Sequence, residues 1–167
     1  LSSTSTLVHL QVSTIESETA WRALASGLKH NTSIESLALG EATVNKIPVQ
    51  LNPSACFHLG IVLTNASSLR KLTLSGFQIT TCIQIAGFTH PLILPSSLRE
   101  LQAVECDIEW SNVRGLEVLH LICCGEALAS NLCALSSCNS LRVLDLRGNS
   151  LGTELCRVLV SYKNLKL

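Results

Sequence analysis

A single phrase, Leu-x-x-Leu-x-Leu-x-x-(Asn or Cys)-x-apolar, recurs along this chain of 167 residues. The clearest copy is Leu141, Leu144, Leu146, Asn149 and Leu151, and six copies begin at positions 7, 34, 69, 98, 116 and 141. Alternate side chains of a strand face one side, so Leu144 and Leu146 point into a core together. The Asn or Cys position turns the chain and can bond backbone groups that the turn leaves unpaired. One copy cannot bury its leucines alone, so the copies must stack into a parallel sheet over one continuous core.

Between the copies, the spacing of apolar residues changes from that of a strand to that of a helix. Three leucines after the fifth copy are spaced like one helix face: Leu128, Leu132 and Leu135. Ser17 before Glu18 predicts the start of a helix that runs through Leu28, and Asn52 before Pro53 predicts the start of another. Strand, turn and helix alternate about six times. This order predicts an α/β leucine-rich repeat solenoid, a horseshoe arc with parallel strands on the concave face and helices on the convex face.

Two steps between copies depart from the roughly 20 to 29 residues usual for such repeats. The step from position 34 to position 69 covers 35 residues and predicts a loop insertion around Lys46 to Asn52. The step from 98 to 116 covers 18 residues, which is too short for a strand, a turn and a full helix. We expect extended chain or a single turn there, with Trp110 filling the space of the helix. Ala42 and Phe77 stand where Asn or Cys is expected, which predicts less regular turns.

The chain resembles leucine-rich repeat proteins of the ribonuclease-inhibitor-like subtype. The run ALASGLKHNTSIESLALG, from Ala23 to Gly40, is similar to the helix-to-strand passage of those repeats. The run SLRVLDLRGNSLGTELCRVLV is similar to the same subtype, and Cys106 and Cys124 stand where that subtype uses cysteine in place of Asn. The subtype is typical of nucleotide-binding leucine-rich repeat (NLR) receptors, which are innate-immune sensors. At the level of the repeat, the resemblance covers most of the chain.

The resemblance implies a protein–protein interaction or ligand-sensing module of an NLR-like receptor rather than an enzyme. Such a region would hold a nucleotide-binding domain of the same polypeptide inactive and release it when a ligand competes. A ribonuclease-inhibitor-like inhibitor, or a scaffold such as a ubiquitin-ligase adaptor, is the alternative that the same repeats allow. A phosphate-binding Gly-Lys-(Ser/Thr) segment upstream would favour the receptor. An F-box-like helical segment there, or no such segment, would favour the alternative.

Length and charge narrow the classes of function. One leucine-rich repeat domain over residues 1–167 fits the length. The chain contains no Met and ends just after a further copy begins at Leu165, so we expect an excerpt from a longer protein. Twelve basic residues balance twelve acidic ones, which argues against nucleic acid as a partner. No run of about 18 apolar residues predicts a membrane span, and no secretory signal is visible.

The eight cysteines could indicate the disulfides of a secreted protein or the reduced thiols of a cytoplasmic one. Cys106 and Cys124 fall where the repeat turns inward, and free cysteine packs as a small hydrophobe. This placement favours buried thiols and a cytoplasmic location. A zinc site that combines Cys123 and Cys124 with Cys133 and Cys138 is disfavoured, because adjacent strand residues point to opposite faces and the spacing is unusual for zinc.

The sequence motifs of common catalytic sites are missing. There is no glycine-rich phosphate loop, no Gly-x-Ser-x-Gly and no His-Glu-x-x-His. The five histidines are scattered without a paired acid at a useful spacing. We therefore expect no catalytic residue, no cofactor and no metal.

The third, fifth and seventh positions of each copy should point out from the concave face. In the first three copies these positions are small and polar, whereas the last three gather apolar residues within a charged rim, the usual build of a protein interface. The predicted contacts for a protein or peptide partner, or for a neighbouring domain of the same chain, are Glu100, Gln102, Val104, Val118, His120, Ile122, Val143, Asp145 and Arg147. The alternative is that the apolar members only stabilise the sheet through β-propensity and cross-strand packing.

Overall fold

The computed structural model describes residues 6–15, 17–41, 49–79, 92–106, 110–124, 128, 132, 135 and 138–150. The helices and strands, in chain order, are β1 (His9–Val12), α1 (Glu18–Leu28), β2 (Ser36–Gly40), β3 (Val49–Leu51), α2 (Pro53–Asn65), β4 (Lys71–Ser75), β5 (Phe77–Ile79), β6 (Leu92–Ile93), β7 (Glu100–Val104), β8 (Trp110–Ser111), β9 (Val118–Ile122) and β10 (Val143–Asp145). Six strands form one sheet in the order β1-β2-β4-β7-β9-β10. Every neighbouring pair in it is parallel, so the mixed α/β class is confirmed.

The six strands keep one register across the sheet. Each phrase places its second leucine directly beside that of the next strand: Leu10, Leu37, Leu72, Leu101, Leu119 and Leu144. In β2, β7 and β9, buried residues alternate with half-buried ones. Because the side-chain period of a strand is two, this register gathers the leucines on one side of the sheet, where they form a continuous core.

The helix starts follow the predicted capping residues. The Ser17 side chain accepts from the backbone N–H of Ala20 at the start of α1, and the Asn52 side chain accepts from Ala55 at the start of α2. Each bond satisfies one of the N–H groups that a helix leaves open at its N-terminus. The Ser54 hydroxyl on α2 also donates to Glu18 on α1 over 2.8 Å. Later in the chain, three buried leucines have helical backbone at the predicted spacing: Leu128, Leu132 and Leu135.

Two pairs of short strands lie outside the six-stranded sheet, in segments that connect its main strands. Residues 49–51 were expected within a loop insertion but form β3, which pairs in parallel with β5 and so bonds its backbone groups. Lys46 and Ala42 lie outside the described residues. Phe77 begins β5, and its ring meets Trp21 edge-on at 5.8 Å between centroids. In the 18-residue step, the buried Trp110 begins β8, which pairs with β6, and residues 107–109 lie outside the described residues.

The described part of the chain holds no helix that combines the length and the apolar character needed to cross a lipid bilayer. The helix α2 is the longest of those with defined bounds, at 13 residues. A span needs about 20 residues at 1.5 Å rise each.

Candidate binding face of the sheet

The outer face of the sheet consists of the residues that alternate with the buried leucines on the six strands. All nine predicted contact residues lie on this face, on β7, β9 and β10 or just after β10. The parallel register brings them into rows across the strands. One row is Glu100, Val118 and Val143, the next is Gln102, His120 and Asp145, and a third joins Val104 to Ile122. We call these eight residues together with Arg147 the outer-face patch.

The apolar members of the outer-face patch form two pairs, one on either side of the row of Gln102, His120 and Asp145. Val104 pairs directly with Ile122, and Val118 pairs with Val143. Parallel strands are about 4.8 Å apart, so these side chains contact their neighbours across the sheet. Val143 remains 39% exposed, and the other three are half-buried. A partner that covered them would remove apolar surface from water, which favours association.

A charged cluster of His120, Asp145 and Arg147 lies next to the two apolar pairs, with His120 and Asp145 in the row between them. The Arg147 side chain donates to Asp145 from Nε and from Nη2, over 2.9 and 2.7 Å to Oδ2, and its backbone N–H donates to Oδ1 over 3.1 Å. The Nδ1 atom of His120 lies 3.3 Å from Asp145 Oδ2. The Asp145 carboxylate therefore has hydrogen-bond partners on two sides, Arg147 and His120. The Arg147 side chain nevertheless remains 80% exposed, so an outward edge of its guanidinium is free to meet a partner.

These bonds hold the pKa of Asp145 well below its usual range, with the Arg147 hydrogen bond as the largest cause. The same bond raises the pKa of Arg147. Because the folded-state pKa of Asp145 is depressed, its stabilising contribution is present above the ordinary aspartate value of about 3.9 and declines as the pH falls below that value. At neutral pH the pair is fully ionised.

The other half of the outer face differs from the patch. Its predicted outward residues on β1 and β2 are small or polar, and Ser75 at the end of β4 is buried although it was predicted to point outward. The backbone of β2 approaches closely at this point, since a Cβ on Gly40 would lie 2.1 Å from the Ser75 carbonyl oxygen. Lys71, which the sequence reasoning did not include in the site, bonds Glu100 of the patch over 2.7 Å.

The turn positions of the phrase bond the backbone as predicted. Asn149 donates from Nδ2 to the Leu121 carbonyl over 2.6 Å and accepts at Oδ1 from the Cys124 N–H over 2.7 Å. The Cys106 thiol donates to the Val104 carbonyl over 3.3 Å, and the Cys124 thiol donates to the Ala103 carbonyl of β7 over the same distance. These side chains therefore bond the backbone either within their own copy or in the neighbouring copy.

Serine hydroxyls form a ladder of hydrogen bonds between copies at the ends where the strands begin, opposite to the turns. The recurring phrase did not predict this ladder. Ser33, Ser97 and Ser140 each precede the first aliphatic residue of a copy and donate to the first carbonyl of the preceding copy over 2.8 Å. Gly115 occupies the same position in the fifth copy. There the Arg99 guanidinium bonds the Leu98 carbonyl instead, over 2.9 Å. The recurrence of Ser one residue before the phrase is the sequence signal that could have revealed this ladder.

Thiol reactivity provides a test of this arrangement. Burial raises the pKa of Cys106 to about 12 and that of Cys56 to about 11, whereas the Cys123 side chain is exposed. Because the thiolate is the reactive form, we expect iodoacetamide at pH 8 to modify Cys56 on the order of a hundredfold more slowly than the exposed Cys123 in the folded protein, and Cys106 on the order of a thousandfold more slowly. Peptide mass spectrometry at several time points measures each rate. In urea the rates should converge, and equal rates in the folded protein would contradict the burial of Cys106.

The outer-face patch offers apolar contact and fixed charges. Within the described ranges, no three His, Cys, Asp or Glu side chains are grouped so that they could hold a metal ion. Of the four cysteines weighed for zinc, Cys133 lies outside the described residues.

The chain matches no protein-family model and no curated protein.

Proposed function

We propose that this chain is a leucine-rich repeat solenoid of the ribonuclease-inhibitor-like subtype, and that it serves as the protein-interaction or ligand-sensing module of a cytoplasmic NLR-like receptor. Support for the repeat comes from the common register of the six parallel strands. The serine ladder gives one position of the phrase the same role in the second, fourth and sixth copies. Asn149 bonds the backbone at the turn position, as the phrase predicts. The buried thiols of Cys106 and Cys124 support a reduced, cytoplasmic protein.

The outer-face patch is the observation that carries the proposed function. It combines apolar side chains on adjacent strands with the exposed guanidinium of Arg147, and arginine is enriched among the residues that dominate interface energies. The sheet beneath is fixed by the leucine core, so the patch is preorganised and loses little conformational entropy on binding. In the receptor, a neighbouring domain would occupy the patch until a ligand with better contacts displaces it.

Selection of peptides displayed on phage against the folded chain tests this proposal. We expect the strongest binders to seat on the outer-face patch, so that Ile122→Asp and Arg147→Glu each weaken them at least tenfold, about 1.4 kcal/mol. The matched control is Gln11→Asp, a charge placed on the exposed outer face of β1, far along the sheet from the patch. Affinities are measured by surface plasmon resonance, with circular dichroism to verify that each variant is folded.

Two outcomes would contradict the proposal. Binders that tolerate both patch variants would show that the patch is not the preferred contact surface. Binders that lose as much affinity to Gln11→Asp as to Ile122→Asp would show a general response to added negative charge rather than a local contact. The control separates the second outcome because it introduces the same side chain on the same sheet face.

A further inference from the structure

A polar notch of about 200 Å³ opens at the ends where the strands begin, away from the outer-face patch. Its lining residues precede β2, β4 and β7 and are Glu35, Ser67, Ser68, Arg70, Ser97 and Arg99. Every one of them has a polar or charged side chain, and the notch is larger than one water, which takes about 30 Å³ in the liquid. This composition suits a small polar ligand rather than an apolar one.

The charged side chains of the notch have hydrogen-bond donors and acceptors that the described residues do not use. Among the described residues, the Arg70 guanidinium and the Glu35 carboxylate make no hydrogen bond or ion pair, although they line the same notch. Arg99 is anchored through Nη1, which donates to the Ser96 and Leu98 carbonyls over 2.9 Å each. Its Nη2 makes no hydrogen bond within the described residues. The Arg99 Nε also forms an ion pair with Glu117, whose Oε1 lies 3.9 Å away. Arg99 therefore offers Nη2 from an anchored side chain, and Arg70 offers its whole guanidinium.

The serine hydroxyls of the notch differ from one another. Ser97 donates to the Leu69 carbonyl over 2.8 Å, as the serine ladder requires. Ser68 stands at the same position of the preceding copy, but its hydroxyl makes no hydrogen bond among the described residues. It is thus a donor beside Arg70. An oxyanion needs such a set of convergent donors, and charge-assisted bonds from arginine are the strong ones.

We propose that this notch binds a tetrahedral oxyanion that carries a proton, with hydrogen phosphate as the simplest example. Arg70, the free Nη2 of Arg99 and the Ser68 hydroxyl donate to its oxygens. Glu35 is an acceptor and would repel a fully ionised anion, but it can receive a hydrogen bond from the P–OH group. The carboxylate therefore selects protonated phosphate over sulfate, which has no proton to give at neutral pH. The notch is open to solvent, so binding is in the millimolar range and weakens as salt rises.

Titration followed by nuclear magnetic resonance of the 15N-labelled full chain at constant ionic strength tests the site. Inorganic phosphate at pH 7 should shift the backbone amides of residues 67–70 and the Arg70 side-chain N–H with saturation, whereas sulfate should bind at least tenfold more weakly. Arg70→Gln should weaken phosphate binding at least tenfold. Its control is Arg142→Gln, because Arg142 is an exposed arginine at the same phrase position and does not line the notch. Glu35→Gln should remove the preference for phosphate over sulfate.

Phosphoserine tests whether the site recognises the proton on the phosphate group. Its monoanion carries a proton and its dianion does not, with a pKa of about 6. We expect phosphoserine to bind more tightly at pH 5 than at pH 8 and to match inorganic phosphate at pH 5. Three results would overturn the proposal: linear shifts without saturation, equal binding of phosphate by the Arg70→Gln variant, or a preference for phosphate that survives Glu35→Gln. None of these results depends on the outer-face patch.

Discussion

Replacement of Leu101 by alanine is expected to lower the free energy of unfolding by about 2 to 5 kcal/mol. Leu101 lies in β7, between Leu72 of β4 and Leu119 of β9, and its side chain is 0% exposed. Parallel strands cover it on both sides, so the structure cannot collapse into the space that the missing atoms leave. The loss combines the transfer of apolar surface with the cost of that cavity.

Urea denaturation measures this loss, with the fluorescence of the buried Trp21 and Trp110 and the far-ultraviolet circular dichroism as independent probes. The matched control is Gln102→Ala, on the same strand but on the outer face. We expect it to change stability by less than about 1 kcal/mol, the span of β-propensity. Equal losses from the two variants would contradict the assignment of inner and outer faces.

The recurring phrase was sufficient to predict the six main strands, because a period of two fixes which side chains face the core. It also places the outer-face patch, since residues such as His120 and Asp145 occupy one phrase position and parallel pairing sets them side by side. The helix starts at Ser17 and Asn52 followed from local hydrogen-bond chemistry. These features depend on neighbours in the sequence or on a repeated position, which is why they can be read directly.

Other features depend on contacts that no repeated pattern encodes. The strand β3 exists because its backbone pairs with β5, more than twenty residues later, and residues 49–51 carry no copy of the phrase. The bond from Arg147 to Asp145 requires a particular side-chain conformation rather than a strand position. Gly115 lacks the serine of the ladder, and only the three-dimensional structure shows Arg99 in its place. Sequence periodicity predicts which face a side chain lies on and how the strands align. It does not predict that one side chain, such as Arg99, takes over the hydrogen bond that a serine makes in another copy.

Gly40→Ala is expected to destabilise the protein by several kcal/mol, about 3 or more, since it combines two unfavourable effects. The φ angle of Gly40 is 82°, a left-handed conformation that costs an ordinary residue about 1 to 2 kcal/mol. An added Cβ would also lie 2.1 Å from the Ser75 carbonyl oxygen and 2.6 Å from the Phe77 ring. The backbone of β4 is fixed by its neighbours, so the sheet must shift to relieve the contact.

Gly27→Ala is the control for the same substitution in the same protein. Gly27 lies inside α1, and no atom outside its own helix turn lies within 4 Å of the position of an added Cβ. Alanine lowers the entropy cost of forming the helix, so we expect a gain of about 0.5 to 1 kcal/mol. Thermal and urea unfolding should thus move in opposite directions for the two variants. A stable Gly40→Ala protein would mean that β2 and β4 are not held in the register that brings Gly40 against Ser75, and that register is also what aligns the outer face on which the proposed binding depends.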